Sequence, residues 1–421
     1  MSLLGWLAHL FTRKRRRDIS RLEADGDEIS ETVDLSGGPL KEHHRRLAIR
    51  DRRLLPKPKK ILPKIGRGKR PKYMSFDEAT RLFAGTLRTR NRELRDLATD
   101  EEQLARYSLP LWRTEEDVAA ALGITVKQLR FFSTHREKEL TPHYVTFAVR
   151  KRSGGERLIM APKRRLKALQ RQMLALLVER LPVSEHAHGF RRAHSVRSNA
   201  EPHVGKAVVV HLDIKDFFPS VTFARVRGML IALGYSYPVA ATLAAFMTES
   251  ARQPVDVDGQ LYHVPVSERH CVQGAPTSPA LCNSILLRLD RRLSGLARKF
   301  GFTYTRYADD LSFSGDADHR TAHGLCVRAA RIVEAEGFTV NATKTRIMGQ
   351  GRRQTVTGVV VNQQLGLSRQ ERRRLRAMAH QLARQGPSAD PAQVAYLRGK
   401  LAYLSMLNPV ESEALRKPPM Q

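Results

Sequence analysis

The chain has 421 residues, 41% of them hydrophobic, enough for two or three domains or one enzyme with extensions around a real core. Its 73 Lys and Arg against 42 Asp and Glu leave a net charge of +31, a self-repulsion that calls for a polyanionic partner, nucleic acid first. Cys271, Cys282 and Cys326 lack disulfide-framework or zinc spacing, which suits reduced packing residues in a cytoplasmic protein, and no apolar run approaches a membrane span.

In chain order, the start MSLLGWLAHLFTRKRRR places apolar residues before its basic cluster, the reverse of a signal peptide. Between Lys41 and Lys72 lie 14 Lys and Arg, only two acids, and Pro56, Pro58, Pro63 and Pro71. Residues 1–75 are therefore predicted to be a flexible basic extension, either an RNA-contacting arm or a solvated linker. Residues 76–140 read as a small helical region. Thr114 followed by Glu115 and Glu116 starts a helix that Gly123 stops, and a second helix runs from Val126 to Phe132. The pair has the outline of a helix-turn-helix, but a helical pack against the next domain is the plainer alternative.

From Tyr144 strands and helices alternate in an α+β manner. YVTFAV is a strand and KRSGGERLI a Gly-turned hairpin. RRLKALQRQMLALLVERL is predicted to be one long amphipathic helix with Leu166, Leu169, Met173, Leu176 and Leu177 on one face. AVVVHLDI, Ala207 to Ile214, reads as a buried strand ending in an acid. LCNSILLRLDRRLSGLARKF reads as a second continuous helix. FTYTRYA and LSFSG form a hairpin with Asp309 and Asp310 at its tip, and basic helices broken near Gly386 to Pro391 close the chain beyond Leu367.

An Asp-Asp pair by itself is an ordinary turn, because both residues tolerate tight geometry and solvent screens their repulsion. The context here is different. Asp213 ends a strongly apolar strand, where a carboxylate is costly unless a cation compensates it. If that strand lies beside the hairpin, Asp213, Asp309 and Asp310 converge, and three close carboxylates raise each other's pKa unless divalent ions sit between them. Two Mg²⁺ ions roughly 4 Å apart suit in-line phosphoryl transfer, one activating a hydroxyl and one holding a triphosphate.

These residues resemble the reverse transcriptases. Tyr307-Ala308-Asp309-Asp310 resembles the family's catalytic tetrapeptide, HLDIKDFFPS the motif with the first aspartate, QGAPTSP the segment that contacts template and nucleotide, and GFTVNATKTR the motif that carries a lysine, here Lys344. Within the family the chain is most similar to the bacterial retron enzymes. Asn199-Ala200-Glu201-Pro202-His203 resembles their Asn-Ala-x-x-His element, Val356-Thr357-Gly358 their triplet after the palm, and LRGKLAYLSMLNP the end of their thumb. The resemblance covers about Thr141 to Pro409. It omits the first 75 residues and is loose over the helical stretch between.

The resemblance implies a right-hand polymerase: fingers and an antiparallel palm sheet within 141–366, and a helical thumb and tail over 367–421. Asp213 and Asp309 would be the principal ligands of two Mg²⁺ ions, with Asp310 supporting them. Lys151, Arg152 and Arg157 on the fingers hairpin would clasp the triphosphate of a dNTP. Phe218 would exclude a ribose 2′-hydroxyl, while Phe217, on the opposite side of a strand, would be core. Gln273 would contact the nucleotide, with Gly274 allowing close approach, and Lys344 would protonate the leaving pyrophosphate or neutralise its charge. Asn199 and His203 would bind the structured RNA or brace the loop that does, and Val356, Thr357 and Gly358 would hold the primer end. Arg372, Arg373, Arg374 and Arg376 would contact RNA backbone.

A satisfied structural histidine, a surface lysine and a solvated basic face are the plainer alternatives for His203, Lys344 and the thumb arginines. The implied reaction copies a cognate structured noncoding RNA into branched RNA-linked single-stranded DNA, primed from an internal 2′-hydroxyl of a guanosine. Host RNase H would remove RNA, since only about 55 residues follow Leu367. A retron effector protein and a role in antiphage defence come with the same resemblance. A group II intron or diversity-generating enzyme, and an RNA-binding protein with a vestigial polymerase site, remain the alternatives.

Overall fold

Three short helices open the described part of the chain: α1 (Glu101–Arg106), α2 (Glu115–Ala121) and α3 (Val126–Ser133). Each begins where a side chain accepts an otherwise orphaned amide. Asp100 takes the amide of Gln103, and Thr114 and Thr125 form reciprocal capping boxes with Asp117 and Gln128. Gly123, at φ +64°, ends α2 in the left-handed conformation that glycine adopts freely. The computed structural model describes residues 98–134, 139–150, 156–257 and 259–416. The basic extension 1–75, residues 76–97, and Lys151 and Arg152 lie outside the described residues.

The chain then forms the hairpin β1 (Tyr144–Arg150) and β2 (Glu156–Pro162), followed by α4 (Arg164–Leu176). The predicted long helix stops early. Leu177 leaves helical geometry and a 3₁₀ turn covers Val178–Arg180, while Leu166, Leu169 and Met173 are buried as their spacing requires. Next come α5 (Val196–Ala200), β3 (Val208–Asp213), α6 (Phe217–Ser220), α7 (Phe223–Ala232) and α8 (Tyr237–Met247). Phe217 and Phe218 therefore lie on a helical turn and not on a strand. A hairpin of β4 (Arg252–Val257) and β5 (Gln260–Pro265), unanticipated from the sequence, precedes α9 (Ser278–Ile285) and α10 (Leu287–Phe300). These two helices replace the predicted single one, breaking at Leu286, whose amide closes the last turn of α9.

The remaining elements are β6 (Thr303–Tyr307), β7 (Asp310–Gly315), α11 (His319–Ala335), β8 (Arg346–Gly349), the two-residue strands β9 (Thr355–Val356) and β10 (Val359–Val360), and the helices α12 (Arg369–Gln385), α13 (Pro391–Leu407) and α14 (Pro409–Arg416). No helix among the described residues is long and apolar enough to cross a membrane.

A four-stranded antiparallel sheet in the order β6-β7-β3-β8 positions the acidic residues. Side chains alternate across a strand, and here the two faces bury different things. Val208, Val210 and Leu212 of β3, with Leu311 and Phe313 of β7, pack against Leu289 and Leu293 of α10 and Leu325, Ala329 and Val333 of α11. On the other face Val209 joins Met348, Val356, Val359 and the leucines of α12 and α13 in a second core. The same alternation sends His211, Asp213, Asp310, Ser312 and Ser314 to that second face. The helices α1–α3 share the first core, with Leu104, Trp112 and Leu129 buried and α3 packed on α8.

One ion pair is wholly internal. Arg306 and Asp290 are both 0% exposed, and the guanidinium donates from Nε and Nη2 to the two carboxylate oxygens at 2.8 Å each. Tyr304 donates its hydroxyl to the same carboxylate at 2.8 Å. Nη1 of Arg306 donates to Asn283 Oδ1 at 2.8 Å and to the Ala308 carbonyl at 3.2 Å. Burial works against the charge, but the Asp290 carboxylate more than offsets it, so the guanidinium pKa goes up. Removing one member of such a pair strands a buried charge. Arg306→Met is expected to destabilise the fold by about 3–5 kcal/mol in urea unfolding, and pairing it with Asp290→Leu to recover most of that loss.

Candidate active site

Asp213 and Asp310 face each other because the register of β3 and β7 pairs them directly. Asp310 is not at the hairpin tip, as the sequence predicts; it is the first residue of β7, and Ala308 and Asp309 form the two-residue turn. Ala308 sits at φ +56°, a strained conformation for a residue with a Cβ, and strain of this kind persists where the surroundings over-determine it. Those surroundings can be named. Arg306 holds the Ala308 carbonyl from below, and Ile214 donates its amide to the Asp309 carbonyl at 2.9 Å. Gly189 lies so close that an added Cβ would come within 2.6 Å of the Ala308 nitrogen. Asn283 fixes that glycine by donating to its carbonyl at 2.7 Å. The segment around Gly189 is held along β6 by exchange between His186, His188 and Arg306 backbones.

The electrostatics follow from burial. Asp213 is 2% exposed, accepting from Lys344 Nζ at 2.7 Å and from Asn341 Nδ2 at 3.2 Å. Asn341 also donates its backbone amide to the Asp213 carbonyl at 2.8 Å, which seats the 339–345 turn over the strand end. Burial raises the pKa of Asp310 to about 7, reinforced by Asp309 and Asp213. Burial also raises Asp309, with Asp213 adding to the shift and Lys344 and Arg157 opposing it. Lys344 is raised by its hydrogen bond to Asp213. His211 Nε2 stands 3.7 Å from Asp310, and burial lowers its pKa, so a neutral imidazole and not a cation lines that side. Among the described residues no three acids or metal-binding side chains close into a complete cage. The arrangement is an electron-rich open edge with one lysine across it.

The other residues singled out by sequence fall at different distances from this edge. Arg157 is exposed on β2 and attracts Asp309. Phe217 is buried and Phe218 half-buried, its ring 6.3 Å from that of Phe190, the residue after Gly189. Gln273 accepts the Met160 amide at 2.8 Å through its carbonyl. Gly274 adopts φ +128° with Met160 O only 2.6 Å from where a Cβ would stand, so the close approach it permits is to β2. Thr357 and Gly358, at φ +48° and +80°, form the two-residue turn between β9 and β10, a geometry that β-branched Thr adopts only under constraint. The constraint is Asn199, which donates to Thr357 Oγ1 at 2.8 Å. Val356 beside them is buried in the second core.

Asn199, His203 and Arg372 have partners within the chain. His203 is 0% exposed, its two ring nitrogens bonded to Ser314 Oγ and Thr305 Oγ1 at 2.7 Å each, an arrangement that braces the sheet. Asn199 is equally buried and acts on the Thr357 turn. Arg372 is half-buried and bonded to Glu411 at 2.9 Å, tying α12 to α14, whereas Arg373, Arg374 and Arg376 are exposed. Sequence reasoning also missed Asn341, Arg306, Gly189 and His211. Asn341, Arg306 and His211 lay inside quoted stretches and Gly189 did not, and none of the four carries a local signal. The three cysteines are free and buried.

Burial pushes the His203 pKa down to about 3. The unfolded state therefore binds a proton below about pH 6.5 that the folded state refuses, and stability falls as pH drops through that window. Asp310, with its raised pKa, acts in the opposite sense between about pH 4 and 7, so the variant must be compared with wild type. His203→Gln is expected to flatten the fall in urea-unfolding free energy between pH 6.5 and 5 by about 2 kcal/mol.

Comparison with known proteins agrees with this geometry. Residues 149–371 match the family model described as reverse transcriptase (RNA-dependent DNA polymerase). The chain is 61% identical to the Retron Mx65 reverse transcriptase of Myxococcus xanthus, covering 99% of this chain and 98% of that protein. It is 42% identical to the Retron Mx162 reverse transcriptase of the same organism, covering 76% and 69%. Identity to the Retron Ec86 reverse transcriptase of Escherichia coli is 30%, covering 75% and 90%. The chain belongs to the retron reverse transcriptases and is an RNA-directed DNA polymerase.

Proposed function

We propose that this polymerase copies a cognate structured noncoding RNA into branched, RNA-linked single-stranded DNA, starting from an internal 2′-hydroxyl of that RNA. The observation that carries the active-site assignment is the direct pairing of Asp213 with Asp310 across two strands, with Asp309 in the adjoining turn. The four-stranded sheet serves as the palm, β1 and β2 as the fingers tip, and α12–α14 as the thumb.

The aspartates fit a pair of Mg²⁺ ions. Burial and mutual repulsion raise the pKa values of Asp309 and Asp310, the signature of negative charge awaiting a counterion. An open edge also suits Mg²⁺, which completes its shell with water and substrate phosphates. Asp213 and Asp309 would be the principal ligands and Asp310 the supporting one. Bound there, the ions would lower the pKa of the attacking hydroxyl and neutralise the triphosphate.

The chain's own residues do the rest. Arg157 offers a bidentate guanidinium to the triphosphate of an incoming dNTP, and Gln273 presents its amide beside it. Lys344 donates to Asp213 at 2.7 Å and, with its side chain 55% exposed, can reach the leaving pyrophosphate. Phe218 walls the sugar and excludes a 2′-hydroxyl. The Thr357-Gly358 turn supports the primer end, and Arg373, Arg374 and Arg376 neutralise RNA backbone. RNA removal by host RNase H and pairing with an effector protein in antiphage defence complete this reading, which the 61% identity to a retron enzyme supports.

Nucleic acid from cells carrying the gene with its flanking DNA, treated with RNase and then a debranching enzyme, is expected to yield a discrete small DNA whose mobility shifts on debranching. That DNA is expected to vanish with Asp309→Asn while RNA binding persists. Polymerisation on a primed template without such a DNA would leave an ordinary reverse transcriptase. Phe218→Val is expected to reduce discrimination against ribonucleotides at least about tenfold, measured as the ratio of kcat/KM values.

A further inference from the structure

The helices α10 and α11 cover the face of the sheet opposite Asp213 and Asp310, and their outer surface is strongly basic. On α10 the exposed or half-exposed cations are Arg288, Arg291, Arg292, Arg298 and Lys299, the last four standing three, four, ten and eleven residues beyond the first, which places them on one stripe. On α11 Arg328 and Arg331 are exposed in the same way. The stripes adjoin: Arg328 stacks on Phe300 of α10 at 5.3 Å, and Arg288 and Arg292 both reach Glu336 just past the end of α11, at 3.2 and 2.6 Å.

Acids do not balance this face. Glu336 is shared by two arginines, Asp318 caps α11 by accepting the Thr321 amide, and Asp316 is bonded to Lys206. Glu334 is the remaining exposed acid of α11. Among the described residues Arg291, Arg298, Lys299, Arg328 and Arg331 have no carboxylate within ion-pair distance.

A second observation points outward. Gly295 lies in the middle of the α10 stripe, in a helix interior where alanine would be the more stable choice. Among the described residues a Cβ built on it would meet nothing within 4 Å, so no described neighbour requires the glycine. A missing side chain amid cations fits the close approach of something outside the chain.

We propose that the α10–α11 face is a second RNA-binding surface, which grips a double-helical stem of the structured RNA by its phosphates while the template occupies the opposite side of the sheet. From Arg288 to Lys299 the stripe runs about 16 Å, and the adjoining helix doubles its width to about 10 Å between axes. Rigid cations spread over such a convex face suit the phosphates bordering the wide, shallow minor groove of an A-form stem, and they read shape in place of sequence. This inference rests on the structured-RNA reading above.

The test uses the full chain and an RNA hairpin with a 20-base-pair stem and a blocked 3′ end. The variant Arg291→Gln/Arg298→Gln/Lys299→Gln/Arg331→Gln is expected to bind the hairpin at least about tenfold more weakly at 150 mM salt, with a salt slope shallower by about 3. Gly295→Leu is expected to weaken hairpin binding several-fold without lowering the thermal midpoint. Extension of a short primed RNA template should keep its kcat and KM in both variants. Unchanged hairpin affinity and salt slope would overturn the proposal and leave a solvated face or a protein-docking one. A parallel loss on the primed template would overturn it as well, because the effect would then be general charge. Wild-type cells that make the branched DNA while the hairpin is indifferent to these changes would sink this surface alone. Absence of branched DNA from wild-type cells would sink the function instead.

Discussion

The Arg306–Asp290 pair is the constraint around which the acidic edge is assembled. It joins α10 to β6 where water is absent, and its third donor holds the carbonyl of Ala308, the residue whose left-handed backbone turns Asp309 away from the strand. A buried ion pair is weak evidence for net stability, because desolvation opposes attraction. Its value here is geometric. Two guanidinium–carboxylate bonds and a tyrosine hydroxyl leave the arginine a single orientation, and that orientation reaches the turn. Gly189 closes the same turn from the other side, so Ala308 is held between a charge network and a backbone with no room for a methyl group.

The sheet also separates two chemistries by alternation alone. One face is hydrophobic and anchors α10 and α11, whereas the other carries, beside Val209 and the second core, serines, two threonines, His211 and the aspartates. On that second face His203 is held between Ser314 and Thr305, whereas the buried hydroxyl of Ser312 has no hydrogen-bond partner among the described residues. The region is therefore buried without being apolar. Among the described residues Lys344 is the cation in contact with the carboxylates, and its partner Asp213 is the most buried of them.

Much of this was legible before any coordinates. The apolar strand ending in Asp213, the paired aspartates, and the hairpin around them have strong local patterns, and the family motifs fix their order along the chain. The helix start at Thr114 and its stop at Gly123 follow from capping chemistry. What escaped depends on contacts distant in sequence. Nothing near Arg306 marks it as buried, because its partner Asp290 sits on an amphipathic helix that looks charged throughout. The breaks at Leu177 and Leu286 interrupt runs whose apolar spacing continues smoothly, so periodicity alone reads through them. His203 was readable as an RNA contact, a loop brace or a satisfied structural histidine, and its two hydroxyl partners are invisible to local pattern. The β4–β5 hairpin has mixed polar composition with prolines at both ends and carries little strand signal.

The junction at Gly274 has a mechanical consequence. Its α-carbon rests on the Met160 carbonyl, and the Gln273 carbonyl takes the Met160 amide, so the loop and β2 are riveted at one residue. A hinge cannot lie between them without breaking both contacts. Any closing motion of the β1–β2 hairpin must then carry the 273–274 loop as part of the same lever, with the flexing displaced to the far ends of the two segments. Nucleotide grip and template contact would advance together, in one stroke.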